Sequence, residues 1–272
     1  MTRRLSMAAR FLLVGAALLL VLWALSFAAA VLRPSAFARL CPLGSDVLRP
    51  DSSVCALAFG GGWISLSVGL LAGAAATVAG FGVASIARIF GGWVDAALMR
   101  SADALFALPD VLVLMVLQFA AQTAGDLHPR LRINSVPLMI LSLAMVGWAA
   151  PARLFRDRLE TLERAEFVGA ARALGAGHWH VLNRHLWPFL RDYALAIFLS
   201  RVPAAILAES TISFLGIGKI EPISLGRYLG TSYASLLYGE GARIVLPAWV
   251  LLILIVLGAS LAGRGASALA QH

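Results

Sequence analysis

Glu166-Phe-Val-Gly-Ala-Ala-Arg-Ala-Leu-Gly175-Ala-Gly-His-Trp-His-Val-Leu-Asn-Arg-His185-Leu-Trp-Pro188 is a polar, helix-forming island in an apolar chain. Upstream of it, Pro151 opens a segment in which Phe155, Leu159 and Leu162 recur at helical spacing, with Arg156, Asp157, Glu160 and Glu163 on other faces. Ala170, Ala171 and Leu174 then offer a small, close-packing surface, and Gly175, helped by Gly177, breaks the helix. A second short helix presents Trp179, Leu182 and Leu186, and Pro188 is expected to block regular helix beyond it. The whole reads as a helix–turn–helix elbow. Pattern alone leaves two uses open: a surface gripped by a partner outside the membrane, or an amphipathic hairpin resting on lipid headgroups.

The rest of the chain sets the context. Of 272 residues, 60% are hydrophobic and 13% charged, and mean hydropathy is +0.86, which excludes a soluble domain and places the chain among integral membrane proteins. The net charge of +8 comes almost wholly from arginine, Lys219 being the one lysine. These arginines flank apolar runs, so headgroup contact and topology explain them better than nucleic acid, and no nucleic-acid partner is expected. Apolar runs near the length needed for a bilayer fall at about 11–32, 64–87, 104–122, 136–152, 193–215 and 244–262. The first is too long for a signal-peptide core and reads as an uncleaved span. No run alternates as barrel strands would, so the expected fold is all-α, with six transmembrane helices. The arginine cluster from Arg153 to Arg191 sets the elbow and both termini on the cytoplasmic side. Gly69, Gly73, Ala76 and Gly80 in the second run let helices approach closely, more simply within this chain than between subunits.

The elbow resembles the "EAA loop" of ABC-importer permeases, a short cytoplasmic helix that docks on an ATPase subunit: Ala170-Ala171, Gly175 and Pro188 stand at the family spacing. The likeness extends along about 41–262. Leu43-Gly-Ser-Asp46, Gly91-Gly-Trp-Val-Asp95, Leu98-Met-Arg100, Asp103, Leu108-Pro109, Ile206-Leu-Ala-Glu-Ser210 and Ser213-Phe-Leu-Gly-Ile-Gly218 resemble the "C" subunits of the dipeptide/oligopeptide/nickel permease family. Departures are Gly169 in place of the motif glutamate, Arg49-Pro50-Asp51, Trp187 before Pro188, and Gly263-Arg264-Gly265.

The resemblance implies one permease domain over 1–272, with a core at about 64–262 and a coupling loop at about 153–191. It implies half of a translocation pathway in the bacterial inner membrane. The partners would be a homologous permease, two ATPase subunits or a fused ATPase, and an extracytoplasmic binding protein. Di- or oligopeptides are the default cargo; nickel, metal–chelator complexes, glutathione and sugars are family alternatives. Coupling would use Glu166, Gly169, Ala170, Ala171, Arg172, Leu174 and Gly175. No cofactor is expected on this chain: Gly218-Lys219-Ile220 is not a phosphate-binding loop, so ATP and magnesium would sit on the partner.

A membrane enzyme or solitary channel is the reading from another class, but no cluster of nucleophile and base occurs within the spans. His178, His180 and His185 share no helix face well and read as solvated loop residues, so no metal site is expected. Arg201 and Glu209, both in the fifth run, are expected to border the translocation pathway, with a carbonyl freed by Pro203 beside them. Cys41 and Cys55 fall in the first extracytoplasmic loop, where an oxidising compartment would permit a disulfide.

Overall fold

The computed structural model describes residues 2–31, 54–127, 135–218, 223–238 and 241–270. The expected Cys41–Cys55 bridge lies outside the described residues. Every regular element described is helical: α1 (Thr2–Val31), α2 (Val54–Phe90), α3 (Gly92–Ala107), α4 (Asp110–Leu127), α5 (Ser135–Gly147), α6 (Ala149–Glu163), α7 (Glu166–Ala173), α8 (His178–Phe214), α9 (Leu225–Ser232) and α10 (Gly241–Ala270). A 3-10 turn, Tyr233–Tyr238, follows α9.

By length and composition α1, α2, α8 and α10 are each sufficient to cross a bilayer, and the bent pairs α3–α4 and α5–α6 bring the number to six. The expected third and fourth spans are therefore broken. The third turns by 94° between α3 and α4. Pro109 is the cause: it has no N–H and forces the residue before it out of the helical region, and Leu108 is extended at φ −100°, ψ 138°. The fourth bends by 45° at Trp148, and Pro151 is accommodated in the first turn of α6.

Three apolar clusters hold the bundle. Leu22, Leu66, Ile206, Tyr228 and Ile255 tie α1, α2, α8, α9 and α10 together. Val68, Leu114, Met139 and Ile212 tie α2 and α8 to α4 and α5. Phe155, Leu159, Val168, Leu182 and Leu186 form a third, under the elbow. The small residues of α2 serve packing within the chain, as the sequence suggested. A Cβ on Gly69 would meet Ile206 Cγ1 at 2.2 Å, and one on Gly80 would meet Pro151 Cβ at 2.5 Å and the Ala152 nitrogen at 2.7 Å.

Candidate functional site

The elbow is built as its periodicity requires, with one correction. α6 buries Phe155 and Leu159 completely; each such side chain withdrawn from water contributes about 1.5–3 kcal/mol. α7 follows after a sharp turn and closes at Gly175, whose φ is +88°. The Gly175 N–H donates to the Arg172 carbonyl (2.9 Å) and the Ala176 N–H to the Ala171 carbonyl (3.1 Å), which satisfies the carbonyls that a helix end leaves open. The expected stop at Pro188 does not occur. The helix that begins at His178 widens to π geometry over Val181–Leu186, and Pro188 then enters at the start of the α-helical part that runs to Phe214. The widened turn accommodates a ring that would otherwise meet the carbonyl four residues before it. The second short helix of the sequence reading is thus the near end of α8.

The residues expected to couple fall on two faces. Ala171 is 9% exposed and turns inward with Val168, whereas Leu174 is 90% exposed at the tip of the turn. Glu166, Gly169, Ala170, Arg172 and Gly175 are exposed as well. Trp179, expected to pack beside Leu182 and Leu186, is 65% exposed instead. The outer surface of α7 is therefore a small, nearly flat patch around Gly169 and Ala170 with Leu174 protruding.

Ion pairs invisible to periodicity fasten the elbow to the spans. Arg88, near the end of α2, meets Glu163 at 2.5 Å, and Arg172 of α7 approaches the other Glu163 oxygen at 4.0 Å. Arg156 donates from Nε and Nη2 to both Asp95 oxygens, at 2.8 and 2.6 Å, joining α6 to α3. Arg153 pairs with Asp103 and lies over the Phe106 ring.

The two ionisable residues of the fifth span part company. Glu209 is fully buried and accepts hydrogen bonds from Ser65 Oγ and Ser213 Oγ, both at 2.7 Å. Ser65 Oγ in turn accepts the Leu225 N–H at 3.2 Å. Glu209 is a junction of α2, α8 and α9 and borders no open space here, because hydroxyl donors enclose it. The carbonyl freed by Pro203, that of Leu199, lies beside Gly263 of α10: a Cβ on Gly263 would stand 3.1 Å from it. Arg201 lines a cavity of about 40 Å³ between α2, α4, α5 and α8, together with Asp110, Gly73 and Gly147. Its Nε is buried without a hydrogen-bond partner among the described residues. Sequence reasoning missed Arg88, Asp95, Arg156 and Glu163 as structural partners. The local signal for the Glu209 junction was Ser213, one helical turn on.

Comparison with known proteins agrees with this architecture. A family profile described as "Binding-protein-dependent transport system inner membrane component" matches residues 76–271. A Brucella ovis protein whose name proposes a peptide permease is 35% identical over 179 residues, 66% of this chain and 55% of that protein. The dipeptide transport system permease protein of Bacillus subtilis is 30% identical over 207 residues, 76% of this chain and 61% of that protein. The oligopeptide transport system permease protein of Mycobacterium tuberculosis is 29% identical over 229 residues, 82% of this chain and 72% of that protein. The match to the first of these spans little more than half of its length.

Proposed function

The chain belongs to the family of binding-protein-dependent transport system inner membrane components, and from that premise we propose that it is one permease subunit of an ATP-driven ABC importer for di- or oligopeptides. It pairs with a homologous permease in the bacterial inner membrane, both termini cytoplasmic, and the two enclose the pathway. ATP and magnesium are bound by two ATPase subunits, or by one fused chain, and a binding protein delivers cargo from the other side. The names of the relatives support peptides as cargo.

The observation that carries the reading is the geometry of α7. It is a short helix whose inner face is locked by Val168 and Ala171, and whose outer face offers Gly169, Ala170 and an almost fully exposed Leu174. An apolar tip of this kind on a rigid polar elbow suits the groove of a partner. Glu166, in the first turn of α7, supplies an acid near the position where the motif glutamate is replaced by Gly169. Ala171 acts from beneath, as a spacer that seats the helix.

Cysteine substitution tests the reading. In a background with Cys41 and Cys55 replaced by serine, Leu174→Cys and Ala170→Cys are expected to crosslink to the co-expressed ATPase, while Phe106→Cys, on α3, is not. Failure of both elbow cysteines to crosslink, with the complex otherwise intact, would overturn it.

A further inference from the structure

The cavity beside Arg201 has an unusual lining for its charge. Apart from Asp110 it is walled by small and apolar side chains, among them Ala72, Ala76 and Ala205. The guanidinium reaches toward Gly147, where an added Cβ would stand 3.5 Å from its Nη2. That is ordinary contact distance; the tighter neighbour is Ala76, whose Cβ would stand 3.2 Å away, so glycine serves the α2–α5 packing beside the cation. Asp110 is the acid whose field reaches Arg201, yet the two form no direct ion pair, and Asp110 is itself exposed. Arg201 thus presents fixed donors to a space of about 40 Å³, room for about one small planar group or a few waters. Its residue number puts it roughly 20 Å, at 1.5 Å per residue, from the end of α8 at Phe214. A long side chain at that depth is poorly placed to reach headgroups.

A cation held in apolar surroundings without a partner is costly unless an anion visits. The matching anion is a carboxylate, which is planar and takes a guanidinium in bidentate fashion. Glu209 does not compete, since its oxygens are engaged by Ser65 and Ser213. We propose that Arg201 is a recognition residue of the permease itself, which engages a carboxylate of the transported molecule, the C-terminal one in a peptide, while Asp110 at the cavity edge prevents the anion from being held too long. The proposal rests on the importer reading given above and adds a selectivity that the binding protein alone would not supply.

The test uses the whole importer, with its partner permease, ATPases and binding protein, in vesicles of zwitterionic lipid. Uptake of one peptide as the free acid and as its C-terminal amide is measured, each rate divided by the occupancy of the binding protein. The wild-type complex is expected to favour the free acid by about tenfold, the scale of one charge-assisted hydrogen bond. Arg201→Gln is expected to bring that ratio close to one, and Arg201→Lys to restore part of it. Asp110→Asn is expected to keep the preference and to slow release of the free acid. The inference is overturned if the wild-type ratio is near one, or if Arg201→Gln leaves it unchanged. The wild-type ratio decides even where the glutamine variant does not assemble. Absence of ATP-dependent uptake of either peptide by the fully assembled complex would instead overturn the peptide-importer reading, and this inference with it.

Discussion

Gly175 shows what one residue contributes. With φ at +88° and nothing within 4 Å of where its Cβ would be, it is a glycine for backbone reasons alone. Gly175→Ala should therefore cost about 1 kcal/mol and no more, because only the left-handed conformation is penalised. On the importer reading proposed above, the expected signature is reduced stimulation of the ATPase by loaded binding protein, with an unchanged amount of assembled complex. Glu209 is the opposite case. Removing the carboxylate in Glu209→Ala strands the Ser65 and Ser213 hydroxyls and leaves a void, at a cost of about 3 kcal/mol. Glu209→Gln keeps one acceptor oxygen and should cost less. Melting of the purified complex in detergent measures both, and equal melting temperatures for wild type and Glu209→Ala would contradict the junction described for this residue.

The clasp between α3 and α6 makes a prediction. Asp95→Asn removes the charge that both Arg156 donors meet and should loosen α3 from α6. Crosslinking between cysteines placed on the two helices, compared between wild type and Asp95→Asn, checks this; equal crosslinking would contradict the clasp. The same clasp marks the limit of what the sequence could reveal. α6, α7 and the glycine turn were legible because their signals lie within one or two helical turns: Phe155 and Leu159 for the buried face, Gly175 for the stop. Asp95 and Arg156 are separated by 61 positions and Ser65 and Glu209 by 144, so no local period records them. The inward turn of Ala171 was illegible for a related reason. An alanine fits either face of a short helix, and here it follows Val168, which packs in one cluster with Val181 and Leu182 of α8.

The number of long apolar runs was legible across the whole molecule, while the breaks within two of them were underread, although Pro109 was present to be weighed. The packing of α1 on α10 could not be anticipated from either helix alone. It depends on Gly15, Gly258 and Gly265: a Cβ on Gly265 would meet the Leu12 nitrogen at 2.3 Å, and one on Gly15 the Ala262 nitrogen at 2.3 Å. Gly265→Leu should accordingly push α1 off the bundle. Limited proteolysis after α1 should accelerate by several-fold, and a cleavage rate like that of the wild type would show that α1 is held by other means.

α2 and α8 are joined to their surroundings by polar contacts near both ends. At one end Arg88 meets Glu163 beside the elbow. At the other, Ser65 and Glu209 meet under α9, and the stretch of α8 from His178 to Glu209 measures roughly 45 Å at helical rise. Two rods tied by a hydrogen bond at one end and packed at the other through Ala84 of α2 and Leu190 and Ile197 of α8 behave as a ladder rail rather than as a string: they resist shear and carry a tilt along their length. A push on the elbow is then felt as a displacement beneath α9. Because the coupling of two sites is reciprocal, anything that seizes the α9 end must in turn alter how readily the elbow yields.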